Sequence, residues 1–192
     1  MKGSSVPLEI RFHGRGGMGA VVASQLVAQA AFLEGRWAQS FPFFGVERRG
    51  APVTAFARIA DRPVDVRTNV YAPDVVVVLD PSLLKGVAFL DGLVDGGTVL
   101  ANAPEPIIAG TGPSFAVDAT QIALEEGLGS RSVPIVNTAM VGALAGATGL
   151  VGLDSILAAI SALVPQKVEA NRRAAERAFH AVRGVAVKEV AL

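Results

Sequence analysis

The sequence predicts a three-layer α/β fold, a mostly parallel sheet with helices on both faces, and three observations carry that expectation. Residues 8–13 alternate apolar and polar side chains (Leu8, Ile10 and Phe12 against Glu9, Arg11 and His13), the period of a half-buried strand. A helical pattern follows at once, with Val21, Val22, Leu26, Val27, Ala30, Ala31 and Phe32 at the spacing of one buried face. The run Val75-Val76-Val77-Val78-Leu79 is continuously apolar, as a parallel strand covered on both sides should be.

The remaining elements fall in order. The first helix ends near Gly35, and residues 37–41 make a short second strand. Residues 53–59 make another, with Val53, Ala55, Ala57 and Ile59 on one face. Asp80-Pro81 closes the valine strand and leads into a helix through Leu84, Phe89 and Leu90. Residues 97–101 and 115–117 read as strands, and a short helix after Asp118 ends at Gly127. Residues 132–153 carry no charge, a length that would span a bilayer. Pro134, Asn137, Thr138, Thr148 and several glycines make a buried helix packed through small residues the better reading. Two helices close the chain, at 153–164 and from 166 to about 182, the last with Val168, Ala175, Phe179 and Val182 as its buried stripe. Strands alternating with helices give a Rossmann-like sheet, read as one domain over residues 1–192.

Composition limits the chemistry. The 192 residues hold 17 basic and 17 acidic side chains, so no net field draws the chain to nucleic acid. The 18% charged and 51% apolar fractions leave two readings open: a surface partly covered by partners, or an Ala/Val-rich core. There is no cysteine and there are two histidines, which excludes a cysteine-bound iron–sulfur cluster, a disulfide or a thiolate zinc site on this chain. No apolar export segment precedes the first strand, and the expected location is cytoplasmic, without a membrane.

Gly14-Arg15-Gly16-Gly17-Met18-Gly19 satisfies G-x-G-x-x-G between a strand and a helix, the context in which glycines let backbone N–H groups approach a phosphate. The alternative is a turn needed only for helix–sheet packing. A nicotinamide dinucleotide also needs a carboxylate near the end of the second strand. Residues 36–42 have none, though Arg36 offers a partner for a 2′-phosphate. The next segment, residues 41–53, joins aromatics to Pro and Gly and carries Arg48-Arg49 between glycines. Paired arginines suit bidentate phosphate or carboxylate contacts; a loop paired to Glu47 or to a neighbouring subunit is the other reading. Asp80, Asn137 and Thr138 sit at strand ends and read as helix caps. His13 reads as a hydrogen-bonded structural histidine. Arg172, Arg173 and Arg177 alternate with Glu169 and Glu176 as a solvated face. No nucleophile–base pair stands out.

Phe12-His13-Gly14-Arg15-Gly16-Gly17-Met18-Gly19-Ala20, Gln39-Ser40-Phe41-Pro42 and the run from Phe44 through Glu47-Arg48-Arg49-Gly50 to Val53 together resemble the gamma subunit of the 2-oxoacid:ferredoxin oxidoreductases. These include the pyruvate, 2-oxoisovalerate, 2-oxoglutarate and indolepyruvate enzymes. Met18 departs from the Gln expected in that loop. The resemblance implies an enzyme assembled from alpha-, beta-, gamma- and delta-type subunits. Thiamine diphosphate and iron–sulfur clusters would sit on partners, electrons would leave to ferredoxin, and the acyl group would pass to coenzyme A. It makes Gly14, Arg15, Gly16, Gly17, Met18 and Gly19 candidates for a loop facing coenzyme A phosphate, and Arg48 and Arg49 candidates for a phosphate clamp or a subunit contact. Two other classes remain beside it: a self-sufficient NAD(P) dehydrogenase, and a nucleotide-binding scaffold module without catalysis.

Overall fold

The structure is a computed structural model that describes residues 6–43, 51–66, 68–86, 88–107 and 109–185. Seven strands form one sheet: β1 (Leu8–Arg15), β2 (Trp37–Pro42), β3 (Pro52–Ala60), β4 (Val75–Val78), β5 (Thr98–Asn102), β6 (Ser114–Val117) and β7 (Arg183–Val185), in the order β2-β3-β1-β4-β5-β6-β7. The helices are α1 (Ala20–Leu33), α2 (Leu83–Gly86), α3 (Ala119–Glu125), α4 (Asn137–Thr148), α5 (Leu153–Leu163) and α6 (Val168–Ala181). Strands β1, β4, β5 and β6 pair in parallel. Strand β3 is antiparallel to both β1 and β2, so β2 again runs with β1; β7 is antiparallel to β6. Five of the seven strands therefore point one way, as the alternation of strands and helices predicts.

Helices lie on both faces, but unequally. Ile10, Phe12, Ala55, Ala57, Val75 and Val77 turn toward α1, α4, α5 and α6, where the main core forms. The alternate residues Val76, Val78 and Val99 face a smaller cluster with Leu83 and Phe89. The helix expected through Phe89 and Leu90 is the four-residue α2. Pro81 opens the turn that leads into it, its last residue is Gly86, and Phe89 reaches the core from a turn instead.

The uncharged stretch contains α4, whose residues 137–145 are all buried. No helix among the described residues is long and apolar enough to cross a membrane. Helix α4 meets α6 backbone to backbone: a Cβ on Gly142 would stand 2.1 Å from the Ala175 carbonyl oxygen, and one on Gly146 2.4 Å from that of Phe179. Gly142→Leu is therefore expected to force the helices apart and cost about 1–3 kcal/mol. A lowered thermal midpoint would register this; an unchanged one would mean that the crossing yields freely.

The stripe on α6 differs from the expectation. Asn171, Ala174, Ala175 and Ala178 are its buried residues, while Val168, Phe179 and Val182 are half-buried. Small side chains occupy the centre because the α4 backbone comes so close. The outer face of α6 bridges elements rather than pairing only along itself. Arg173 and Arg177 reach Glu126 at 2.8 and 2.9 Å, Arg177 also holds Glu125, and Arg172 approaches Glu169 at 3.8 Å. Strand β7 is the one element the sequence does not foretell. Three exposed residues carry no alternation, and the strand exists through pairing with β6, with Gly184 against the Phe115 ring.

Candidate functional site

The carboxyl ends of β1, β4, β5 and β6 lie along one edge of the sheet, where open α/β sheets bind ligands. Strand β1 runs two residues further than the alternation indicates, because Gly14 pairs with Val53 and Arg15 with Pro52 on β3. Gly14 is thus a strand residue rather than a loop residue. A Cβ on it would come within 3.2 Å of the Ala20 Cβ, so its role is the close packing of α1 on the sheet. The loop proper is Gly16 to Gly19. Gly17 and Gly19 have φ of 99° and 85°, a region costly for side-chain-bearing residues. Gly19 is the N-cap of α1, with no side-chain cap and no acidic residue in the first turn.

Several candidates are already engaged inside the fold. Gly16 N–H donates to the Ala51 carbonyl at 3.1 Å and Met18 N–H to the Arg15 carbonyl at 3.0 Å. The Met18 side chain is buried in the main core, since an apolar side chain at the foot of α1 gains more there than in water. Arg15 Nε lies 2.8 Å from Asp80 Oδ2, and its guanidinium also donates to Ser82 Oγ at 3.0 and 3.1 Å. Asp80 Oδ1 accepts from Ser82 N–H at 2.8 Å. Asp80 thus both fixes the turn into α2 and orients the arginine. Arg48 and Arg49 lie outside the described residues.

Asn102 is a contributor that sequence reasoning missed. It ends β5, is 1% exposed, donates to the Leu79 carbonyl and Thr120 Oγ1 at 2.8 and 2.9 Å, and accepts from Thr120 N–H. It ties the ends of β4 and β5 to α3. Asn137 and Thr138 do not act as side-chain N-caps, since Val136 holds that position. Asn137 Oδ1 accepts from Thr138 N–H at 2.9 Å, and Thr138 Oγ1 donates to Asn171 Oδ1 at 2.9 Å. Asn137 also stands against the glycine loop, its Nδ2 2.6 Å from where a Cβ on Gly19 would be. Spacing gave no hint of this contact between residues so distant in the chain.

His13 is structural, as expected. It is 8% exposed, and its Nε2 accepts from Arg11 Nε at 3.0 Å. Burial first, and then the Arg11 charge, lower its pKa to about 4. Arg11 is held in turn by the carbonyls of Phe89 and Asp91; burial pulls its own pKa down, against the attraction of Asp91. No group of three or more metal-ligating side chains occurs among the described residues.

The dinucleotide alternative fails on topology. It requires the first two parallel strands to be neighbours with the acidic or basic ribose contact at the carboxyl end of the second. Here antiparallel β3 separates β1 from β2. Arg36 precedes β2, at its amino end, and is taken by Glu34 at 2.8 Å and the Leu150 carbonyl.

A family model described as pyruvate ferredoxin/flavodoxin oxidoreductase matches residues 9–181. The chain belongs to this family. The pyruvate/ketoisovalerate oxidoreductases common subunit gamma of Thermococcus kodakarensis is 54% identical over 90% of this chain and 96% of its own length. The pyruvate synthase subunit PorC of Methanothermobacter thermautotrophicus is 51% identical over 91% and 96%. The crystal structure of pyruvate oxidoreductase subunit PORC from Thermotoga maritima superposes with a TM-score of 0.79 at 39% identity, covering 94% of this chain and 99% of that one. This family member is thus of the gamma type, with the α/β fold of its relatives.

Proposed function

We propose that this chain is the gamma subunit of a multi-subunit 2-oxoacid:ferredoxin oxidoreductase that oxidatively decarboxylates a 2-oxoacid to acyl-CoA. The observation that carries the reading is the end-to-end match to gamma subunits, 54% identical across 96% of one relative's length. The absence of cysteine from the sequence fits a division of labour. Thiamine diphosphate supplies the decarboxylation chemistry and iron–sulfur clusters carry electrons to ferredoxin, both on alpha-, beta- or delta-type partners. By itself this chain is inactive, and it works in the cytoplasm as one domain of that assembly.

Its own contribution is structural and electrostatic, on the coenzyme A side of the active site. Gly17, Gly19 and the first turn of α1 offer backbone donors and the positive end of the helix to a phosphate. Arg15, oriented by Asp80, adds a cation beside them. Gly14, Gly16 and Met18 support this loop from within, and Arg48 and Arg49 clamp phosphate or meet a partner subunit.

The test is an anaerobic affinity pull-down from native extract, with the bound fraction assayed for coenzyme A-dependent oxidation of a 2-oxoacid panel. Cluster-bearing partners and activity are the expected result. A chain recovered alone and without activity would overturn the assignment. In the assembled enzyme, replacing Arg48 and Arg49 with alanine is expected to raise the KM for coenzyme A about tenfold or more per lost charged contact. Unchanged KM with intact assembly would remove the clamp.

A further inference from the structure

On the helix-rich face, next to the glycine loop, is a cavity of about 470 Å³ that the proposed function does not use. Its walls are Val22 and Gln25 on α1, Leu128 and Ile135 before α4, and Leu163 and Lys167 around the turn between α5 and α6. That volume lies in the range of small-ligand pockets, and the apolar wall is interrupted by Gln25, Asn137, Gln166, Lys167 and Asn171. Lys167 is the one charged residue among the described lining residues, and no carboxylate faces it.

Asn137 also lines this cavity. It is 6% exposed, and while its Oδ1 is used by Thr138 N–H, its Nδ2 has no hydrogen-bond partner among the described residues. No described side-chain nitrogen or oxygen is sealed from solvent without a partner, so this N–H group keeps its opening toward the cavity. Water can reach this donor, and a ligand acceptor of matching geometry can take the place of that water. Beside it stands the N-terminus of α1, uncapped by any side chain and next to Gly19. The N-termini of α4 and α6 begin at the same wall, at Asn137 and just after Lys167, and neither has a side-chain cap bond. The positive ends of α4 and α6 and the Lys167 ammonium, whose Nζ also donates to the Gly127 carbonyl, thus stand at this wall with the Asn137 donor.

We infer that this cavity binds a small organic anion, a carboxylate or phosphate bearing an apolar arm. The acid group sits between Asn137 Nδ2 and the first turn of α1, with Lys167 at the rim, and the arm lies against Val22, Leu128, Ile135 and Leu163. Gly19 and the first turn of α1 are shared with the site proposed for coenzyme A phosphate, whereas Asn137, Lys167, Leu128, Ile135 and Leu163 are not, so variants at Asn137 and Lys167 test the cavity separately from that reading.

The test is a titration of the ¹⁵N-labelled full chain with isovalerate, inorganic phosphate and coenzyme A, each separately. The side-chain amide of Asn137 and the backbone amide of Gly19 report binding. At least one probe is expected to shift both saturably. Asn137→Asp keeps the acceptor for Thr138 but replaces the donor with a negative charge, and should weaken binding about tenfold or more, read at Gly19. Lys167→Gln should weaken it about two- to fivefold. A response to isovalerate marks a carboxylate site. A response to phosphate and coenzyme A alone marks a phosphate site, and their relative affinities separate a free anion from the coenzyme. The inference is overturned if no probe moves the Asn137 amide, or if the probe that does binds both variants as tightly as the parent chain.

Discussion

Replacing Arg58 with alanine is expected to remove about 3–5 kcal/mol of stability, because it breaks a buried ion pair from one side. Arg58 lies on β3 with no exposed surface. Its Nε is 2.6 Å from Glu9 Oε1, and its Nη atoms donate to the carbonyls of Val66, Thr68 and Asn69 at 3.2, 2.7 and 3.3 Å. Its guanidinium also lies 5.0 Å from the centre of the Phe41 ring, a cation–π geometry. Without it, a carboxylate and three carbonyls lose their donors, and the segment after β3 loses its anchor to the sheet. Arg58→Lys should recover only part of the loss, since one ammonium group cannot reproduce a planar fork with five donors. Urea unfolding measures this as a fall in the midpoint at constant slope. A loss under about 1 kcal/mol, the scale of a surface pair, would show that the segment is held by other contacts.

Acidification should destabilise the chain through His13. Its folded pKa of about 4 lies below the ordinary histidine value of 6.5, so between those values the unfolded chain binds the proton more readily. The stability that the neutral imidazole contributes is complete above pH 6.5, declines as pH falls through this window, and is gone below about pH 4. The depression corresponds to roughly 3 kcal/mol. His13→Gln offers Arg11 an acceptor that does not titrate, so the variant should show a flatter acid limb. Thermal midpoints taken at intervals from pH 7 to about 4 decide it. Parallel curves for the two proteins would mean that His13 is protonated in the fold without cost.

The sequence made the parallel centre of the sheet legible for a plain physical reason. Val75–Val78 is buried on both faces, and such a strand needs an unbroken apolar run. The glycine-rich turn was equally visible, since Gly17 and Gly19 adopt backbone angles that other residues avoid. What stayed hidden depends on distant partners. Gly14 and Arg15 look like loop, yet β3 pairs with them. Nothing local says that β3 inserts between β1 and β2, which is the feature that defeats the dinucleotide reading. Asn102 was unreadable and Asn137 read as a helix cap, because a single asparagine has no period; Leu79, Thr120 and Gly19 give them their meaning. Met18 counted as a loop residue in the motif but packs inward, since a motif fixes backbone shape and not the direction of each side chain.

The strand order also sets the timetable of assembly on the ribosome. Strands β2, β3 and β1 and helix α1 all come from residues 8–60, so one side of the sheet can close before the rest of the chain has emerged. The opposite margin waits longest: Phe115 meets Gly184 only after α3, α4, α5 and α6 have been made. Closing so long a loop adds little to the equilibrium cost but delays completion. Until β7 arrives, β6 is an unprotected edge open to wrong pairing, and the nascent subunit carries that hazard until residues 183–185 are translated.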